Sequence, residues 1–281
     1  MENDAMSDTG RQRATEHWDR EGLLATVLQA LHAAGLDIDH LDVDELAATD
    51  QFHGGGLPVT IRLAELAGLA QPSGAGHTRR VLDVGGGLGG PARTLAARYG
   101  CVVTALDLTP SYVEVAAELT RRVGLSDRVT HLMGDALDLP FSDGSFDIVW
   151  TQNSGMNIAD KRRLYAGFHR VLRPGGMLSF QEPMAGELRP LHFPVMWAED
   201  ASMSHLAEPE EVREILEAVG FDVREWKPVN DVGATSPATA PPHAVQQIIM
   251  GAQRAAAMAA AGRANLLEGR MVSLHATLVK R

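Results

Sequence analysis

The segment VLDVGGGLGGPA sets Gly85, Gly87 and Gly90 in G-x-G-x-x-G register, directly after a short apolar run and directly before a helical one. Nothing else in the chain constrains the fold as tightly, because glycine permits a tight turn at a strand end and lets the backbone come close to a ligand. The sequence around it keeps the same rhythm. Strand-like runs occur at 81–84, 102–106, 129–133, 146–150, 177–182, 221–226 and 271–279. Amphipathic helices separate most of them: PARTLAARY, SYVEVAAELTRRV, DKRRLYAGFHRVL and PEEVREILEAV. Such alternation needs crossover connections, which implies an α/β, doubly wound, largely parallel sheet with helices on both faces.

The flanking regions read differently. Leu23, Leu24, Val27, Leu28 and Leu31 have helical spacing, so a helix is expected there, ending near Gly35. QFHGGGLP breaks that helical segment, and a short helix resumes from Thr60 to Leu69. QPSGAGHT and ATSPATAPP read as loops, the latter followed by one more helix and a strand. The expected organisation is an N-terminal helical cap or lid over residues 1–70 and an α/β domain over 71–281, with an insertion at about 184–208.

Composition narrows the function classes. The 281 residues carry 25 Lys and Arg against 36 Asp and Glu, a formal charge of −11. Nucleic acid and anionic membrane are therefore not expected partners, since both call for a basic surface. Cys101 is the single cysteine, so an internal disulfide cannot form and a cytoplasmic location is expected. The polar start MENDAMSDTG lacks the basic and apolar runs of a secretory signal, and the Ala-rich stretch near MAAAG is too short to span a bilayer. The histidines at 32, 40, 77, 131, 169, 192, 243 and 275 show no metal-site spacing, and no metal is expected.

Acidic residues accompany the glycine loop. Asp107 closes the second strand 24 residues after Asp83, where a carboxylate can accept both hydroxyls of an adenosine ribose. NAD and S-adenosylmethionine compete for such a site, and Asp83, two positions before the first glycine, separates them. Its charge would repel a pyrophosphate and attract the ammonium and sulfonium of S-adenosylmethionine. Asp135, after the third strand, can accept the adenine amino group.

With these residues in place, the sequence resembles the class I S-adenosylmethionine-dependent methyltransferases from about Asp50 to Glu182. VLDVGGGLGG, VTALDLT, GDALDLPFSDGSFDIVW and RVLRPGG stand in that family's order and spacing. The resemblance implies a seven-stranded, mostly parallel Rossmann-like sheet whose last strand, MVSLHATLV, inserts antiparallel, with RPGG as the turn before the fifth strand. It assigns Asp83, Gly85 and Gly87 to the methionine end of the cofactor S-adenosylmethionine, Asp107 and Leu108 to the ribose, and Asp135 and Ala136 to the adenine. DQFHGGGLPVT, VWTQNSGMNI and FPVMWAED are similar to the bacterial small-molecule branch near the sarcosine/dimethylglycine and phosphoethanolamine N-methyltransferases.

For the acceptor side, His53 is expected in a loop folding over the methionine end, as a lid contact or proton acceptor with an ordinary pKa near ~6.5. Gln152 and Asn153 are expected at the carboxyl edge of the sheet, where doubly wound folds bind ligands. Asn153, counted also among the cofactor contacts, and Asn157 stand where relatives often carry histidine. An amide can orient a substrate but cannot take its proton near neutral pH, so His53, Asn153 and Asn157 are the candidate catalytic residues, acting mainly by orientation. Phe193, Met196, Trp197, Met203 and His205 in the insertion are a candidate wall of an apolar pocket. The implied activity is methyl transfer to a small-molecule acceptor, most simply at nitrogen. O- or C-methylation of a phenolic, quinone or isoprenoid metabolite is the enzymatic alternative, and a cofactor-sensing binding protein the non-enzymatic one. A homodimer is compatible with the sequence.

Overall fold

The computed structural model describes residues 15–71, 77–229 and 244–281. The opening MENDAMSDTG, most of the QPSGAGHT loop and the ATSPATAPP segment lie outside the described residues. Seven strands form one sheet: β1 (Arg80–Val84), β2 (Val102–Asp107), β3 (Val129–Met133), β4 (Phe146–Gln152), β5 (Leu172–Ala185), β6 (Phe221–Val229) and β7 (Met271–Lys280). Their order is β3-β2-β1-β4-β5-β7-β6. The first five are mutually parallel, and β7 lies antiparallel between β5 and β6. Every residue of β4 is buried, as expected of a central strand covered on both faces.

The helices are α1 (Leu23–Ala33), α2 (Ala47–Asp50), α3 (Gly56–Leu66), α4 (Gly90–Tyr99), α5 (Pro110–Arg122), α6 (Lys161–Val171), α7 (Pro209–Val219), α8 (Val245–Met250) and α9 (Ala252–Leu267). Burial follows their apolar stripes: in α6, Leu164, Tyr165, Phe168 and Val171 turn inward, and Asp160 caps its start by accepting from Arg163 N–H. One core packs Leu164, Phe168, Val212 and Leu216 against Val149, Leu178 and Phe180 of the sheet. A second, on α3, α4 and the sheet, contains Leu63, Leu95, Val103 and Trp150. The N-terminal α1 contributes Leu23, Val27 and Leu31 to a third core shared with Tyr112, Val115 and Leu119 of α5 and with Val245 and Met258.

Several local expectations shift. The helix after the glycine break starts at Gly56 and not at Thr60, because Pro58 falls in its first turn, where proline's missing N–H has no intrahelical partner to lose. RPGG falls within the bounds of β5 but turns out of the ladder as expected: Leu172 pairs with Phe146, the next pair is Met177 with Ile148, none of the four residues between pairs with a strand, and Gly175 has a φ of 70°. The single helix expected near the C-terminus is two, divided at Gly251, whose φ of 76° and ψ of 148° cannot continue a helix.

Candidate active site

The strand order reverses between β1 and β4, and the crevice at such a switch point is where doubly wound sheets bind ligands. A cavity of ≈ 1290 Å³ opens there. Asp83, Gly85, Gly87, Asp107, Leu108, Asp135, Ala136, Asn153, His53 and Asn157 all line it. Residues chosen from separate motifs thus meet at one edge of the sheet.

The glycine loop is shaped by close approach. A Cβ on Gly85, whose φ is 71°, would lie 2.4 Å from the Cβ of Ser154, and one on Gly90 would lie 2.4 Å from the carbonyl oxygen of Asp50. The loop is tied to the next strand end: Gly87 N–H donates to Asp107 Oδ2 at 2.8 Å, and Thr109 N–H donates to Asp107 Oδ1 at 2.9 Å. Asp135 Oδ1 accepts from Leu137 N–H at 2.8 Å, which folds the turn after β3.

Asp83 differs from its neighbours. Its carboxylate is buried, and Oδ2 has no hydrogen-bond partner. Burial, with the charge of Asp107 added, pushes Asp83 up to about 7. Asp107 is also raised by burial, against the lowering effect of its N–H donors. Two further cavity-lining residues carry orphaned buried oxygens, Asp50 Oδ1 and Tyr112 Oη. A crowded acidic site with unpartnered acceptors suits a ligand that brings positive charge and hydrogen-bond donors.

Asp50 is held by a pair the sequence did not reveal. Arg93, fully buried in α4, donates from Nη2 to Asp50 Oδ2 at 2.9 Å and from Nη1 to Thr120 Oγ1 at 3.0 Å. The guanidinium offsets burial only in part, and Asp50 sits at about 6. The two partners lie 43 positions apart, too far for any local pattern to announce them.

His53 is buried within a polar cluster and is not a surface loop histidine. Its Nε2 lies 3.1 Å from Gln51 Oε1 and 2.9 Å from Thr60 Oγ1, and its Nδ1 lies 3.3 Å from both Gln152 Nε2 and the Gly54 carbonyl. Gln152 Nε2 donates to Gln181 Oε1 at 2.9 Å, and Gln181 Nε2 donates to the Gly54 carbonyl at 2.8 Å. Burial lowers His53 to about 4, well below the ordinary value expected from sequence. The ring is neutral at physiological pH, with both nitrogens engaged by protein groups.

The two asparagines serve different places. Asn153 has a φ of 54°, the one positive value among the described non-glycine residues, and its N–H donates to the Gln181 carbonyl at 2.8 Å. Asparagine tolerates that left-handed conformation better than most residues. Asn157 Nδ2 donates to the carbonyls of Trp197 at 2.9 Å and Met203 at 3.0 Å, which ties the insertion after β5 to the loop after β4. Of the insertion residues, Met196, Trp197 and His205 line the cavity, while Phe193 and Met203 pack behind the wall. Glu182 is not among the lining residues: its Oε1 accepts from Gly155 N–H at 2.9 Å and Ser154 N–H at 3.1 Å, bracing the same loop from below.

Sequence reasoning missed the roof and part of the wall. Trp18, Phe52 and Tyr112 line the cavity as one aromatic group, with Trp18 edge-on to Phe52 at 5.5 Å. Residues of α8 and α9 also line the cavity, and Val245, Ile249, Met250, Ala255 and Met258 share one core with Tyr112, against which Trp18 and Phe52 pack. The aromatics were present in the sequence but scattered over almost a hundred positions. Among the described residues, no three His, Cys, Asp or Glu side chains are grouped to hold a metal ion, and no helix is long and apolar enough to cross a membrane.

Residues 82–180 match the family described as methyltransferase domain. This segment is a methyltransferase domain. It runs from within β1 to within β5, hence over the glycine loop and all three acidic strand ends. The chain is 42% identical over 108 residues to the glycine/sarcosine/dimethylglycine N-methyltransferase of Actinopolyspora halophila, covering 38% of this chain and 19% of that one. It is 33% identical over 142 residues to the sarcosine/dimethylglycine N-methyltransferase of Halorhodospira halochloris, covering 50% of this chain and 51% of that one. The chain therefore spans about half, or less, of the length of these curated relatives. Relatives named for O- and C-methylation match at 35% and 36% identity. Among solved structures, phosphoethanolamine N-methyltransferase 2 of Haemonchus contortus, in complex with S-adenosyl-L-methionine, superposes with a TM-score of 0.66 at 22% identity, covering 85% of this chain and 57% of that one. At that identity the likeness is one of fold. The sheet and its helices have the Rossmann-like methyltransferase architecture.

Proposed function

We propose that this protein is an S-adenosylmethionine-dependent methyltransferase that methylates a nitrogen of a small-molecule acceptor by direct displacement. The observation carrying this reading is the unpartnered, buried Asp83 at the mouth of the glycine loop, flanked by Asp107 and Asp135 on the next two strand ends. When bound, S-adenosylmethionine supplies a methyl group on a sulfonium centre. Asp83, with Gly85 and Gly87, would hold its methionine end, Asp107 and Leu108 its ribose, and Asp135 and Ala136 its adenine. A dinucleotide would place a pyrophosphate against Asp83, which repels it. The names of the two N-methyltransferase relatives support nitrogen as the acceptor atom.

The residues beyond Gly85 act on the acceptor. Asn153 and Trp197, on the wall of the switch-point cavity, restrict how an acceptor can sit. Holding two reactants in line is worth up to ~7–11 kcal/mol of barrier, enough for an amine that already offers a lone pair. His53, neutral and engaged on both nitrogens, serves to fix Gly54 and the start of α3 under the roof. The test is transfer of a labelled methyl from S-adenosylmethionine to a panel of amines, phenols and quinols. Label on an amine with stoichiometric S-adenosylhomocysteine supports the reading. Label on oxygen or carbon alone would reassign the acceptor atom, and cofactor binding without turnover on any acceptor would favour a sensing role.

A further inference from the structure

The cavity is larger than the cofactor reading requires, and its two ends differ in chemistry. One end is built on β1, β2 and β3 and holds the three aspartates. The other continues past the switch point over β4, β5 and β7, under the insertion and against the later part of α9, where Ala261 and Leu266 pack with Trp197 and Met271. Sites for single drug-sized ligands run to roughly 300–1,000 Å³. At ≈ 1290 Å³ the cavity has room for a second molecule of comparable size beside the first.

The wall of the second end is largely apolar. α9 presents Ala252, Ala255, Ala256, Ala259, Gly262 and Leu266 to the cavity, which is one face of the helix at spacings of three and four. Small side chains there leave space that leucines would fill. Across from them stand Met196, Trp197 and Met271, soft or flat apolar groups that adapt to a bulky guest. Two of the polar groups nearby are already engaged, Asn157 Nδ2 on Trp197 and Met203 and Gln181 Nε2 on Gly54, while His205 and Ser273 also line this part of the cavity and can meet a single polar group of the guest. Among the described residues, the arginines lining the cavity are Arg163, whose Nε donates to the Leu137 carbonyl after β3, and the exposed Arg263 on α9.

We infer that the methyl acceptor is a bulky, largely apolar molecule, of terpenoid-like or polycyclic size, whose carbon skeleton lies between α9 and the Trp197 insertion, and not a small zwitterion or phosphorylated amine. This rests on the cofactor assignment proposed above, and refines it by substrate class. The reacting atom then faces Asn153 and the glycine loop, while the skeleton displaces water from the Ala-lined chamber.

The test titrates the protein, saturated with S-adenosylhomocysteine, with farnesylamine, a farnesylated hydroquinone and sarcosine in separate calorimetric experiments. Farnesylamine is expected to bind at least tenfold more tightly than sarcosine, and the hydroquinone arm tells whether the preference belongs to the skeleton or to the amine. Ala259→Phe, which fills the chamber from α9, is expected to weaken farnesylamine binding tenfold or more while leaving S-adenosylhomocysteine affinity unchanged, which also shows that the variant is folded. Ala259→Ser, which keeps the volume, is expected to retain binding. Sarcosine binding as tightly as farnesylamine, or Ala259→Phe binding farnesylamine normally, overturns the inference while the cofactor reading stands. Failure of the wild-type protein to bind S-adenosylhomocysteine overturns the cofactor reading, and this inference with it.

Discussion

Gly87 donates its backbone N–H to Asp107 Oδ2 at 2.8 Å, so the carboxylate that closes β2 also braces the loop that leaves β1. The remaining oxygen, Oδ1, accepts from Thr109 N–H. One residue thereby braces the glycine loop and lines the switch-point cavity.

Asp107→Ala should weaken S-adenosylhomocysteine binding about 10- to 100-fold, because each lost hydrogen bond to a charged acceptor is worth ~1.5–3 kcal/mol. The loop also loses its brace, so a drop of a few degrees in the unfolding midpoint should accompany the loss. Calorimetric titration checks it. An unchanged affinity in a folded variant would show that the ribose is held elsewhere.

Asp83 should make ligand-free stability fall with rising pH. Its folded pKa, raised to about 7, lies above the ordinary carboxylate value, so between pH ~4 and ~7 the folded state keeps a proton that the unfolded chain has released. Asp83→Asn should therefore unfold at a higher temperature than wild type at pH 8, with the gap narrowing toward pH 5. The same variant should bind S-adenosylmethionine more weakly. Thermal melts across that range, with calorimetry at pH 8, decide both; a variant less stable than wild type at pH 8 would mean Asp83 is structurally paired.

The sheet and the glycine loop were legible because their signals are local: apolar runs of strand length, and a glycine pattern sitting between strand and helix. The acidic strand ends followed from spacing alone. What stayed hidden depends on partners distant in the chain. Gln181 reaches Gly54 across 127 positions, and Gln152 reaches His53 across 99, so neither the burial nor the neutral state of His53 could be read from its glycine-rich neighbourhood. The pairing of Leu172 with Phe146 ahead of the RPGG turn is a tertiary contact that no local pattern announces.

Arg93→Leu should destabilise the fold by ~3–5 kcal/mol, the usual effect of removing one partner from a buried ion pair. Asp50 would then be left buried with neither oxygen paired to a cation. Adding Asp50→Asn removes that charge, so the double variant should recover part of the loss. Urea unfolding of the two single variants and the double variant measures the coupling, and strict additivity would sink the idea.

The N-terminal helix and the insertion should respond differently to cofactor. Leu23, Val27 and Leu31 are locked into a core with Tyr112 and Leu119, whereas the insertion is tied across Asn157 by two hydrogen bonds at the cavity wall. Hydrogen exchange with and without S-adenosylhomocysteine should show α1 protected in both states and residues 186–208 gaining protection on binding. Equal gains in both segments would point to a lid that moves as one body.

His53 provides the sharpest test of orientation against base catalysis. Burial lowers it to about 4, so across pH 5.5 to 8.5 the ring stays neutral. The sign for stability is opposite to that of Asp83: with the folded pKa below the ordinary ~6.5, the unfolded chain takes up the proton first, and His53 weakens the fold as pH falls from ~6.5 toward 4. For turnover, kcat/KM measured with the acceptor identified by labelled methyl transfer should track the acceptor's own ionisation and show no step near pH ~6.5. His53→Ala should lower kcat/KM severalfold, by freeing Gln152 and Gln181 from their fixed geometry, without changing the shape of the profile. A step near pH ~6.5 in wild type that vanishes in His53→Ala, with S-adenosylmethionine still bound normally, would assign His53 as a general base. The chemistry would then have to begin with loss of a proton, which an amine presenting its lone pair does not need and a phenol or carbon acid does.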